Sequence, residues 1–118
     1  MSTLPETSPI DFSMLHHLEE IMGREMCGVL LQQFIAYLPE QCDQLTQAFE
    51  QQDYEHLRYK SHQFKGECLQ MGAVVIGQVC TELENKAKTM QTKNIESCLK
   101  KLHYETQRAI AVLEEQAH

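Results

Sequence analysis

Three closely spaced residues, His62, Lys65 and Gly66, have the types and spacing to handle a phosphoryl group. Imidazole is the side chain whose ordinary pKa lies near neutrality, and its neutral ring offers a nitrogen lone pair as a nucleophile. Lys65 lies three residues on, next to the same space if the segment is helical, where it can neutralise an anion. Gly66 lies one turn after His62. A glycine inside a helix costs about 0.5–1 kcal/mol relative to alanine, and its missing side chain lets a bulky group approach the ring. Arg58, Tyr59 and Leu69 share this stripe, about 140° from the apolar seam of the same helix. Tyr59 and Leu69 form an apolar rim for a docking protein, and Arg58 and Lys65 attract an acidic one. Glu55 is the one acid near this otherwise cationic stripe.

Helices must position these residues, because apolar residues recur with helical spacing almost throughout. Residues 1–10 carry Pro5, Pro9, two Ser and two Thr, which suits a loose leader before a domain over 11–118. Asp11 caps a short amphipathic helix that Gly23 ends. A second helix follows Leu31, Phe34, Leu38, Leu45 and Phe49, and Pro39 within it predicts a kink or restart. The third starts from Asp53, has its seam at Leu57, Ser61, Phe64, Cys68 and Met71, and stops at Gly72. A fourth presents Ala73, Ile76, Cys80, Leu83 and Ala87. A polar turn around Thr89 to Asn94 leads to a fifth, with Ile95, Leu99, Leu102, Ala109 and Leu113 inward. Short turns between long amphipathic helices favour antiparallel neighbours. The expected fold is therefore all-α, an up-down antiparallel four-helix bundle with a short N-terminal helix.

Composition narrows the function. The chain has 118 residues, enough for one small domain, with 10 Lys+Arg against 17 Asp+Glu and a formal net charge of −7. An acidic chain without a basic run argues against nucleic-acid and anionic-membrane binding. There is no GxxxxGK[ST] or GxGxxG loop, so a partner must supply any phosphate. No apolar run approaches the roughly 18–20 residues of a membrane span, and Met1 to Pro9 lacks the features of a signal peptide. Cys27, Cys42, Cys68, Cys80 and Cys98 are odd in number and form no CxxC, which reads as reduced thiols in a cytoplasmic protein, mostly in the core. The histidines at 16, 17, 56, 103 and 118 lack the carboxylate spacing of a bundle metal site, so no metal is expected.

The string Ser61-His62-Gln63-Phe64-Lys65-Gly66, continuing to Met71-Gly72-Ala73, resembles the histidine-containing phosphotransfer (HPt) domain of two-component phosphorelays. Cys80-Thr81-Glu82-Leu83-Glu84-Asn85-Lys86-Ala87 is similar to the family's Cys-x-x-Leu-Glu-x-x-Ala segment. Phe34 to Pro39 and Ala48 to Asp53 resemble its second helix and the turn that follows, so the likeness covers residues 11 to 117. It implies that His62 is phosphorylated, Lys65 stabilises the phosphate and Gly66 gives access. It also implies response-regulator receiver domains and a (hybrid) sensor histidine kinase as partners, with Mg²⁺ held by the receiver. The chain would take a phosphoryl group from one receiver aspartate and pass it to another, as a phosphocarrier without its own kinase and working as a monomer. Small residues commonly follow the Lys-Gly pair in this family, whereas Glu67 and Cys68 follow here. Glu67 projects off the stripe and bears on which partner docks. Two rivals are an autophosphorylating kinase's dimerisation helices, which would place an acid where Gln63 stands, and a phosphate-independent adaptor for response regulators, which has no need of a nucleophile.

Overall fold

The computed structural model describes residues 8–117, and within them the chain folds as five helices without strands. The first, α1 (Phe12–Met22), starts where the Asp11 carboxylate accepts the Ser13 N–H at 3.0 Å, and ends at Gly23 with φ +86°. α2 (Arg24–Glu50) begins at once. α3 (Tyr54–Gln70) starts from Asp53, whose carboxylate accepts the His56 N–H at 3.1 Å, followed by α4 (Val74–Lys88) and α5 (Thr92–Gln116). Both aspartate caps satisfy backbone donors that a helix start leaves without an intrahelical partner.

The connections of α2 to α3, α3 to α4 and α4 to α5 are residues 51–53, 71–73 and 89–91. Each joined pair packs side by side, and α5 closes the ring on α2, which is the up-down four-helix bundle. α1 lies against α2. It is also tied to the α3–α4 turn, where the Asp11 N–H donates to the Gly72 carbonyl at 2.7 Å. Gly72 has φ +77°, and a Cβ there would stand 2.7 Å from the Asp11 carbonyl oxygen. Backbone conformation and close approach both require glycine at this turn.

The expected seams are the core. Leu57, Ser61, Phe64 and Cys68 of the third helix and Met71 just after it are buried, as are Ile76, Cys80, Leu83 and Ala87 of the fourth. Ile95, Leu99, Leu102, Ala109 and Leu113 do the same for the fifth. All five cysteines are free and buried, and burial raises the pKa of each thiol. They act as small core residues. The buried set also includes Gln41, Glu105 and Thr106. Thr106 is satisfied at 3.2 Å by Cys42 Sγ, and Glu105 by an Arg108 N–H at 2.6 Å.

Three local expectations change. α2 does not restart at Pro39 but runs on as one helix. Pro39 is exposed while Leu38, Gln41 and Cys42 beside it are buried. Water can reach the backbone that the proline leaves unpaired, and packing on both sides holds the helical register. The turn before α5 is shorter than the span 89–94, because Thr92 already begins the helix. Pro9 and Ile10 are buried, Ile10 at 2% exposure, so the packed chain starts before residue 11. Residues 1–7 of the expected leader, and His118, lie outside the described residues.

Candidate functional site

His62 stands midway along α3 with its side chain 65% exposed. Ser61 before it and Phe64 after it are fully buried and lock the helix face. Glu84 on α4 reaches across, with both carboxylate oxygens 3.2 Å from His62 Nδ1. A carboxylate can only accept, so in the neutral ring the proton sits on Nδ1 and the lone pair on Nε2. Nε2, the ring's basic atom, makes no hydrogen bond among the described residues.

Lys65 Nζ lies 3.6 Å from Glu84 Oε1. The lysine is 26% exposed and the glutamate 23%, so the pair sits in the seam between α3 and α4. One carboxylate thus orients the imidazole and anchors the cation beside it. A Cβ built on Gly66 would meet nothing within 4 Å. The glycine is not required by packing, and the space one turn after His62 is open.

Arg58 and Tyr59 line a cleft of about 340 Å³ with Glu55, His62 and Glu84. The structure therefore brings Arg58 and Tyr59 together with His62, and Lys65 joins them through Glu84. Leu69 stands apart from this cleft. It is 43% exposed, but its side chain lies over Gly77 of α4, where a Cβ would come within 2.8 Å of Cδ2. The expected apolar rim is thus partly spent on helix packing. The cationic stripe also needs correction, since Glu55 and Glu84 offset Arg58 and Lys65. The site is a balanced arrangement of charges rather than a positive patch.

Glu84 is the site residue that sequence reasoning did not assign a role. It lies one position after the buried Leu83, which puts it at an edge of the α4 seam. That edge position was the available signal; the helix it faces depends on how the bundle closes. Glu67, by contrast, leaves the His62 face as the angular count expects. Both of its oxygens lie 2.7 Å from the Tyr37 hydroxyl on α2. The Tyr37 ring meets Phe64 edge-on, with centroids 6.2 Å apart. Burial, then the hydrogen bond and charge of Glu67, push the Tyr37 phenol above its ordinary pKa, so it stays a donor.

Among the described residues, no group of three or more His, Cys, Asp and Glu side chains is placed to hold a metal ion. No described helix is long and apolar enough to cross a membrane.

Comparison with known proteins gives the family and fold of the chain. The sequence model of the Hpt domain family matches residues 29–116. The chain is 32% identical over 78 residues to the sensor histidine kinase AruS of Pseudomonas aeruginosa, covering 66% of this chain and 8% of AruS. It is 27% identical over 109 residues to the sensor protein TorS of Escherichia coli K12, covering 92% of this chain and 11% of TorS. It therefore spans a small part of the length of these two relatives. Among solved structures, the histidine-containing phosphotransfer protein HptB of P. aeruginosa matches with a TM-score of 0.88 and 27% identity. That match covers 95% of this chain and 96% of HptB.

Proposed function

The chain belongs to the Hpt domain family, and from that membership we propose that it is a histidine phosphotransfer protein with His62 as the phosphoacceptor. The observation that carries the residue assignment is the His62 Nδ1–Glu84 contact, which leaves Nε2 free beside the open space at Gly66. Its partners are response-regulator receiver domains and a sensor histidine kinase, met in the cytoplasm by a monomer. The Mg²⁺ ion belongs to the receiver.

In the proposed step the Nε2 lone pair attacks the phosphorus of a receiver aspartyl phosphate in line with the bond to the carboxylate oxygen. The N–P bond forms, the P–O bond breaks, and its electron pair returns to the aspartate carboxylate. The ring keeps its Nδ1 proton and gains positive charge, which Glu84 stabilises across the existing hydrogen bond. Lys65 turns part of its charge from Glu84 to the transferring oxygens. Gly66 lets the receiver's active-site edge come within bonding range of Nε2. The reverse step delivers the phosphoryl group to a second receiver. Positioning and charge stabilisation are most of what phosphoryl transfer needs, so a site of few residues suffices.

The test is to incubate the protein with a phosphorylated receiver and Mg²⁺ and locate the phosphorus by NMR. Acid-labile, alkali-stable phosphohistidine substituted on Nε2 of His62 is expected. Phosphorus on Nδ1, or on another residue, refutes the assignment.

Glu84 gives a quantitative check. A hydrogen bond to a charged group contributes about 1.5–3 kcal/mol, which corresponds to about 10- to 100-fold in rate. Glu84→Ala should slow transfer by that factor while receiver affinity stays unchanged. A wild-type rate in single-turnover transfer would remove Glu84 from the site.

A further inference from the structure

Glu67 follows Gly66 directly, yet its side chain turns from the His62 face to α2. The Tyr37 hydroxyl has one proton for the two Glu67 oxygens at 2.7 Å, so it can serve only one of them at a time. No Lys, Arg or His of the described residues forms an ion pair with Glu67. The carboxylate lines an apolar cleft of about 300 Å³ between α2 and α3, walled by Leu30, Phe34, Tyr37 and Met71. Gln33 and Gln70 complete the lining, so Glu67 is its one charged side chain. Gln70 sits one turn beyond Gly66, so the cleft is lined from the same helix that carries His62. A half-buried carboxylate among apolar walls, served by a single hydroxyl, lacks the cation that its surroundings favour.

We infer that Glu67 selects the docking partner. The preferred receiver places an apolar side chain in the Leu30–Phe34–Met71 cleft and an adjacent Lys or Arg against Glu67. Tyr37 is a positioning residue: it holds the carboxylate at the cleft, and its own ring is braced by Phe64. Charge complementarity of this kind sets specificity and encounter more than the chemical step. The inference rests on the phosphotransfer reading and adds to it a chemical class of receiver surface.

The experiment uses the full chain with isolated receiver domains of the source organism, each charged by acetyl phosphate, and phosphoramidate as a small donor that needs no docking. For the preferred receiver, Glu67→Lys should raise KM about tenfold and leave kcat at saturation within about twofold, since one charged contact of about 1.4 kcal/mol corresponds to that factor. Phosphoramidate should label His62 in this variant at the wild-type rate, and circular dichroism should show a folded helical domain at the assay temperature although the Tyr37 hydrogen bond is lost, which separates docking from chemistry and folding. Tyr37→Phe should raise KM by a smaller factor. Reversing the matching receiver cation to Glu should restore the low KM with Glu67→Lys and raise it with the wild type. A KM for Glu67→Lys equal to wild type across the panel overturns the inference while phosphotransfer stands. If no receiver labels the wild-type chain, the phosphotransfer reading fails and this inference with it.

Discussion

A His62→Gln variant is expected to take up no phosphoryl group from any receiver, a loss of at least about a thousandfold against wild type. Glutamine is close in size and keeps an N–H that can still donate toward Glu84. Its amide nitrogen has no free lone pair, so only the nucleophile is removed. Because His62 is 65% exposed, the fold should be unaffected, with stability within about 0.5 kcal/mol. Radiolabel transfer and a thermal melt on the same preparation read both quantities. Label persisting on the variant would show that another residue is the acceptor. The other described histidines offer poor alternatives. His103 Nε2 is within hydrogen-bond distance of Thr46 Oγ1 at 3.1 Å, and among the described residues only His62 combines a carboxylate at Nδ1 with an open glycine space.

Gly66→Leu should separate stability from function in opposite directions. A Cβ at this position meets open space, so the fold accepts a side chain there without strain. Replacing a mid-helix glycine by a good helix former should then stabilise the domain by about 0.5–1 kcal/mol. The same side chain projects where, in the proposed step, the receiver's active-site edge must come. A displacement of about 1 Å from the reactive geometry is enough for about a hundredfold loss in rate. Transfer should therefore fall at least about a hundredfold while the melting temperature rises, and Gly66→Ala should give an intermediate rate. Transfer at the wild-type rate in the leucine variant would show that Gly66 gives no access.

Much of this was legible from the residues because it is local. The aspartate caps at Asp11 and Asp53, the stops at Gly23 and Gly72 and the apolar seams all follow from bonds and spacings within one helix. The His62, Lys65, Gly66 set is likewise local, since one turn of helix relates its members. Pro39 shows the limit of local reasoning, because of the kink or restart it allows, the restart does not occur. Its intrinsic effect is to interrupt a helix, and burial of the side chains around it outweighed that effect.

By itself, the sequence determined which elements form, which face of α3 is apolar and which residue on the opposite face is proposed as the nucleophile. Only the tertiary structure decided what stands beside that nucleophile. Glu84 is 22 positions from His62, Tyr37 is 30 from Glu67, and Leu69 meets Gly77 across the α3–α4 seam. Helical periodicity assigns a side chain its angle about its own axis but carries no information on which neighbouring helix occupies that direction. Packing of four helices around one core supplies the missing direction, and with it the carboxylate that orients His62, the partner of Lys65 and the charge balance of the site.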